Sequence, residues 1–567
     1  MSRLVGMKMS KYVLGFDFGT LSCRGVLIDL ADGSLKATAE HSYKDGVIAG
    51  TMKHKRISLE KEWFLQNPDD WVESMSIVSK TMIREAGISP EDVIGVGTDF
   101  TSCTLLPVKK DGTPLCKLEK FRDIPNAWPK LWKHHGAQHY AEQIEEYAKE
   151  NTTWLKEYFG NSVSSEWVYP KILQVVKEAP EVYREADYFM EAVDYIVMLL
   201  TGENTRNKGI LGVNAFWVEG KGYPDRAFAR ALDTMMEDVA ETKLSGRIVT
   251  VGDSAGHVTL KMSRLLGITT KAVVAAGHSD GAVAGCGAGV IKSGSMMLVM
   301  GTSTCHQMMY RKFHSFDGVC SVAADGMVPG LYGYESGQPA TGDIFSWFAE
   351  NCVPKTYEER AKEEGKSILE FLGGMAEKLY PGESGLVALD WFNGNRSILS
   401  NYNLSGMVVG LTLESRPEEI YRALVEANIF GSRRILENYE SHGVIISDIY
   451  AVGGIAGKSP WIMQMCADVF QSDIIVPLFE NVPARGAAVC AAVAAGSEYS
   501  EQGCKNFEEA SERLIPKERI IYHPNMEKAE AYDKVYACYR KLHDAFGRDD
   551  SFMKHLKELR KGKKRHE

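Results

Sequence analysis

Tyr12-Val13-Leu14-Gly15-Phe16-Asp17-Phe18-Gly19-Thr20 and Met296-Met297-Leu298-Val299-Met300-Gly301-Thr302-Ser303-Thr304 are two versions of one pattern, an apolar run ending in a glycine-threonine turn. After each turn the chain reads as a returning strand, Arg24 to Asp29 in one half and Cys305 to Tyr310 in the other. A glycine between strands lets backbone approach a ligand closely, and the hydroxyls beside it can donate to phosphate oxygens. One such hairpin in each half predicts two lobes gripping a polyphosphate from opposite sides.

Around the first hairpin, residues 12 to 40 read as a three-stranded meander with a second turn at Asp32-Gly33. Asn67 caps a helix reaching Ala86, with Pro68 at its first position and Asp69-Asp70 in its first turn. Val93 to Thr98 is an apolar strand leading into Asp99-Phe100-Thr101-Ser102, and Pro129 to Leu200 is mostly helical. Val273 to Ala276 is a short strand before Gly277-His278-Ser279-Asp280-Gly281. The second half continues with a helix over Pro417 to Ser441, a strand at Ile449 to Val452 and the turn Gly453-Gly454. Then come a helix from Pro460 to Phe470, a strand over Ile474 to Val476, and a small-residue helix from Ala484 to Ala495. This alternation predicts α/β domains with mixed sheets.

With 567 residues the chain exceeds what one core organises, so two or more domains are expected. A formal charge of −10 argues against nucleic acid or an anionic membrane as the main partner, but leaves a phosphorylated ligand open. Eleven cysteines without a Cys-x-x-Cys pair fit reduced thiols better than a disulfide framework or a zinc site. Met1 to Lys11 is basic without the apolar stretch of a signal peptide, and no window is apolar enough to span a membrane. A cytoplasmic location is the expectation. Lys554 to Arg565 reads as a solvated basic helix and tail.

Asp17 stands at a strand's carboxyl end beside the first turn, where an aspartate among phosphates holds Mg²⁺; the plain alternative is an aspartate bonding its own turn. The second, matching unit tips the balance to phosphate. Val452-Gly453-Gly454-Ile455-Ala456-Gly457-Lys458 offers bare backbone on which an adenine can lie, or else a close strand–helix crossing. Asp280, in a glycine-rich turn, can accept a hydroxyl proton, with an Asx turn as the plain reading and His278 as a rival base. Asp99, Ser102 and Glu335, at strand ends or in glycine-rich loops, can face a polyol or merely cap backbone.

Together these pieces resemble the FGGY carbohydrate kinases of the actin-like ATPase superfamily. The resemblance rests on Gly97-Thr98-Asp99-Phe100-Thr101-Ser102, Val163-Ser164-Ser165-Glu166-Trp167, Met300-Gly301-Thr302-Ser303-Thr304-Cys305 and Tyr334-Glu335-Ser336-Gly337-Gln338. It extends through Gly342-Asp343-Ile344-Phe345-Ser346-Trp347-Phe348, Leu389-Asp390-Trp391-Phe392-Asn393-Gly394 and Val452-Gly453-Gly454-Ile455-Ala456. It spans residues 11 to 545 and implies two actin-like (ribonuclease H-like) domains with mixed sheets, 11–288 and 289–545, followed by a basic tail, 546–567. ATP is expected in the cleft, with the sugar deeper on the first domain.

By resemblance, Asp17 lies near Mg²⁺, Thr20 and Ser22 in the first phosphate loop, and Gly301, Thr302 and Ser303 in the second. Gly342, Ser346, Gly454 and Lys458 fall where the family contacts adenosine. Asp280 falls on the catalytic aspartate, while Asp99, Ser102, Asn214, Asp280 and Glu335 face the sugar. The family's ketopentose kinases present a basic residue where Asn214 stands here. The implied reaction is ATP-dependent phosphorylation of L-ribulose, with D-ribulose, xylulose or ribitol as the alternative. A homodimer is left open, and an actin-like nucleotide switch or a non-catalytic sugar sensor are the readings from other classes.

Overall fold

The structure, a computed structural model, describes residues 10–52 and 56–562. The basic start before residue 10 and the end of the basic tail after residue 562 lie outside the described residues. Two seven-stranded sheets dominate what is described. The first contains β1 (Tyr12–Phe18), β2 (Ser22–Asp29), β3 (Leu35–Ser42), β4 (Val93–Phe100), β5 (Ser254–His257), β6 (Val273–Ala275) and β7 (His278–Ser279). Its order is β5-β6-β4-β1-β2-β3, with β7 paired to β4. The second contains β8 (Ser295–Met300), β9 (Thr304–Tyr310), β10 (Ser321–Ala324), β11 (Tyr332–Gln338), β12 (Asp448–Val452), β13 (Ile474–Pro477) and β14 (Arg519–Tyr522). Its order is β10-β11-β9-β8-β12-β13-β14.

The two sheets repeat one plan. An antiparallel meander (β1-β2-β3; β8-β9-β11) hands over to two parallel strands (β4, β6; β12, β13), and an antiparallel strand closes the edge (β5; β14). Central β1 and β4 are buried almost throughout because parallel neighbours are covered on both faces, whereas edge strand β3 alternates toward solvent.

The helices that frame the site are α1 (Pro68–Ala86), α2 (Val168–Glu178), α3 (Lys208–Asn214), α4 (Asp280–Gly287), α5 (Gly342–Asn351), α6 (Pro417–Ser441), α7 (Gly454–Lys458), α8 (Val482–Gly496), α9 (Met526–Arg548) and α10 (Ser551–Gly562). Asn67 caps α1 by accepting the Asp69 amide at 3.2 Å. Small-residue α8 returns from the second half to lie on the first sheet. A Cβ added at Gly15 would stand 2.0 Å from the Ala484 carbonyl oxygen, and one at Gly97 would stand 1.9 Å from that of Ala487. Backbone meets backbone there, so one core contains Val13, Ile94 and Val273 together with Met297, Val452 and Val489.

Three expectations are corrected. Asp280 is not in a turn: it opens α4, whose Gly-Ala-rich sequence is a weak helix former held by packing against α8. Glu335 lies mid-strand in β11, since Tyr332 to Gln338 pairs throughout with β9 despite its two glycines. The basic tail is docked as well as helical. Met553 of α10 is buried, and Lys557 donates to the Tyr402 and Leu404 carbonyls at 2.6 and 3.0 Å. Among the described residues no helix is long and apolar enough to cross a membrane.

Candidate active site

Strand register builds the floor. Asp17 of β1 stands opposite Asp99 of β4, and His278 of β7 stands opposite Asp99 from the other side, so three polar groups sit abreast near the carboxyl ends of the sheet. Asp99 is fully buried, and its carboxyl group hydrogen-bonds the Asp17 carboxyl beside it. Burial, followed by the charges of Asp17 and Asp280, holds Asp99 well above the usual carboxylate range. Burial also raises Asp17, against the pull of Arg24, whose Nη1 lies 3.6 Å away. Register sets Asp99 beside Asp17, and the charge of Asp280 reaches it as well. His278 accepts the Ser279 amide on Nδ1 at 2.7 Å, and burial depresses it to about 4, which makes it a poor base near neutrality.

The first turn follows directly on this floor. Gly19 donates its amide to the Ser22 carbonyl at 3.0 Å, closing it. The Thr20 hydroxyl accepts Trp132 Nε1–H at 3.2 Å, and its carbonyl accepts Gln66 Nε2–H at 2.9 Å. Neither anchor is foreshadowed by local sequence. Ser22 is buried and gives its hydroxyl to Glu40 at 2.7 Å, so its side chain braces the hairpin and does not line open space.

The second turn is pinned from behind by the start of α5, where the Gly342 and Asp343 amides donate to the Gly301 and Thr302 carbonyls at 3.0 and 3.2 Å. A Cβ on Gly342 would meet the Gly301 carbonyl at 2.7 Å, so the close approach selects glycine. Thr302 and Ser346 are exposed and Ser303 is half-buried. Gly453, at φ +100°, turns the chain against the Met300 carbonyl, and Gly454 opens α7 with bare, exposed backbone and no heavy atom within 4 Å of an added Cβ. Lys458 ends that helix, exposed.

Asp280 faces both lobes. Its Oδ1 accepts the Gly281 amide at 2.7 Å, and the Ser102 amide also points to the carboxyl. Burial, reinforced by Asp17 and Glu335, pushes it up to about 7. Ser102 rides on a turn whose next residue, Cys103, sits at φ +61°; buried Lys171 donates to the Cys103 and Leu131 carbonyls and fastens that turn. Asn214 is fully buried behind it, donating to Glu191 at 2.8 Å, while its own oxygen lacks a protein partner. From the second lobe Glu335 shares a face of the sheet with its register partner Gln307. Burial raises Glu335, and Arg396 opposes that rise. Arg396 itself pairs with Glu166 at 3.0 Å.

The profiles of the FGGY family of carbohydrate kinases match this chain twice, the N-terminal domain over residues 12–287 and the C-terminal domain over 296–495. The chain belongs to this family. Among curated FGGY kinases it is 41% identical over 548 residues to a ribulokinase of Geobacillus thermodenitrificans, covering 96% of this chain and 97% of that one. It is 42% identical over 552 residues to a ribulokinase of Halalkalibacterium halodurans, covering 97% and 98%. Among solved structures, a ligand-bound xylulose kinase from Lactobacillus acidophilus superposes with a TM-score of 0.77 at 18% identity, covering 95% of this chain and 99% of that one. A xylulose kinase from Rhodospirillum rubrum gives 0.75 at 22%, covering 96% and 100%. These establish the two-domain α/β fold of this sugar kinase.

Proposed function

We propose that this kinase transfers the γ-phosphoryl group of ATP to the 5-hydroxyl of L-ribulose, giving ADP and L-ribulose 5-phosphate. The observation that carries this reading is Asp280, a carboxylate tuned to about 7 at the point where the two lobes face each other. In its ionised form it accepts the proton of the 5-hydroxyl as that oxygen bonds to the γ-phosphorus and the bond to the ADP oxygen breaks. Residues 11–288 supply Ser102, Asn214, Asp280 and the first turn. Residues 289–545 supply Glu335, the Gly301-Thr302-Ser303 turn and the adenosine surface of Gly342, Ser346, Gly454 and Lys458. The hydroxyls and amides of Thr20, Thr302 and Ser303 hold phosphate oxygens. The buried carboxyl groups of Asp17 and Asp99, side by side on neighbouring strands, fit Mg²⁺, a hard cation that takes carboxylate oxygens and keeps water and phosphate as further ligands. Bound there, it would neutralise charge on the triphosphate.

The ribulokinase relatives at about 41% identity favour L-ribulose over other ketopentoses. Asn214 supports a second reading, a less selective pentulose kinase, because the family resemblance implies a basic residue at this position and the chain has a neutral amide whose oxygen lacks a protein partner. The test is ADP release on L-ribulose, D-ribulose, xylulose and ribitol, with and without Mg²⁺. L-ribulose should lead in kcat/KM and turnover should need Mg²⁺. Equal turnover of several sugars would move the assignment to the broader reading, and ADP release indifferent to sugar would end both.

A further inference from the structure

The two halves share a little-exposed ion pair beside Glu335. Glu166 precedes α2 in the first half and Arg396 follows the Asp390-Trp391-Phe392 segment in the second, yet Arg396 Nη2 donates to Glu166 Oε1 at 3.0 Å, with the side chains only 16% and 12% exposed. Each partner is rigidly mounted. The Glu166 amide donates to Ser164 Oγ at 3.2 Å, and the Trp167 amide donates to the Ser164 carbonyl at 3.1 Å. On the other side, Asp390 accepts Gln338 Nε2–H at 2.8 Å and the Tyr539 hydroxyl at 3.0 Å. Ser397 Oγ accepts the Gly337 amide at 3.1 Å. The Arg396 guanidinium lies over bare Gly337, its Nη1 3.6 Å from where a Cβ would stand, two residues along the same strand face from Glu335. The other groups facing it are Cys305, Cys320 and Tyr402, and the charge of Glu335 also reaches Cys305 and Cys320.

We propose that Glu166 and Arg396 form a cross-lobe clasp that sets the width of the sugar pocket, holding Glu335 of the second lobe in working register with Ser102 and Asp280 of the first. They are positioning residues, and the proposal rests on the reading of this cleft as the sugar site. A charge pair so little exposed is weakly screened, and removing one partner leaves the other unpaired in a poorly solvated place. The pocket wall that moves is the one carrying Glu335, so the loss should appear in sugar binding.

The experiment measures KM for L-ribulose and for ATP on Glu166→Gln, Arg396→Gln and the double variant, with melting temperature alongside. Asp325→Asn is the control: it breaks a second cross-lobe pair, Lys208–Asp325 at 2.5 Å, whose other neighbours are Glu219, Thr250 and the Gly330 amide. Each single variant should raise the sugar KM by about 5- to 150-fold while the ATP KM moves far less, the usual range for coupling between two events. The double variant should be no worse than the worse single one, because both remove one interaction. Should Arg396→Gln fail to fold, Glu166→Gln carries the same comparison. An unchanged sugar KM, equal shifts for sugar and ATP, or the same sugar effect from Asp325→Asn would overturn the clasp. If the unmodified protein phosphorylates no ketose, the reading of the site falls instead.

Discussion

At the scale of single residues, Asp280 shows how burial and neighbouring charge make a carboxylate a candidate base. Its ordinary value of 3.8 is raised to about 7 by burial first and by Asp17 and Glu335 next, while the Gly281 and Ser102 amides hold the rise in check. Only the ionised form accepts a proton, so kcat/KM should fall about tenfold per pH unit as the pH drops below about 7. Asp280→Asn should lower kcat by about 10²- to 10⁴-fold, measured as ADP release on L-ribulose. Stability should move the other way. The folded value lies above the unfolded one, so the folded state binds more protons between 3.8 and about 7, and stability from this group falls as the pH rises through that window. Asp280→Asn should therefore raise the melting temperature at pH 8 and flatten its pH dependence near 7. Near-normal turnover in the variant would remove Asp280 from the role of base. Asp17, Asp280 and the turn residues are legible in sequence because glycines flank them. Glu166, Arg396, Trp132 and Lys171 are not, because their partners lie far away in the chain and no local spacing marks them.

At the scale of elements, the strands and helices around the two glycine turns follow from period and capping, and the structure places α1, α6 and the helix Pro460–Phe470 within the bounds that Asn67-Pro68, Pro417 and Pro460 suggest. Where α8 goes is another matter. Its run of alanines reads as a helix, but nothing local says that it crosses to the first sheet; that destination is written in Gly15 and Gly97, far upstream. Likewise α4 has the composition of a loop and is helical only because α8 packs on it, with Gly287 against the Val482 carbonyl and Gly486 against that of Val283. Gly97→Ala tests this contact. The new methyl would stand 1.9 Å from a backbone carbonyl that no rotamer change can move, so α8 must shift. A loss of about 1–3 kcal/mol in unfolding free energy is expected, the usual range for overpacking, read from urea denaturation. A variant as stable as the parent would mean that α8 does not ride directly on β4.

At the scale of the whole molecule, two copies of one sheet plan give two lobes, but the sharing of α8 means the lobes are not two independent cores. Val13, Ile94 and Val273 from the first sheet pack in one cluster with Val452, Val482 and Val489 from the second half. A chain cut at the linker near residue 288 would leave the first sheet without the helix that covers β1 and β4, exposing apolar and glycine backbone that water must then solvate. Residues 11–288 produced alone should therefore be insoluble or bind a hydrophobic dye strongly, with far-ultraviolet circular dichroism retained and near-ultraviolet signal lost. In the intact protein the shared core should couple both halves, so that thermal unfolding followed by circular dichroism and by tryptophan fluorescence gives coincident transitions. The tryptophans sample both halves, from Trp71 beneath the first sheet to Trp391 in the second core, which makes the second probe sensitive to either lobe melting alone. Two separated transitions, or a first lobe that folds to a sharp, dye-silent state without α8, would show that the crossing helix decorates the lobes and does not join them. In that case the placement of Asp280 relative to the Gly301-Thr302-Ser303 turn would depend on the cleft contacts alone.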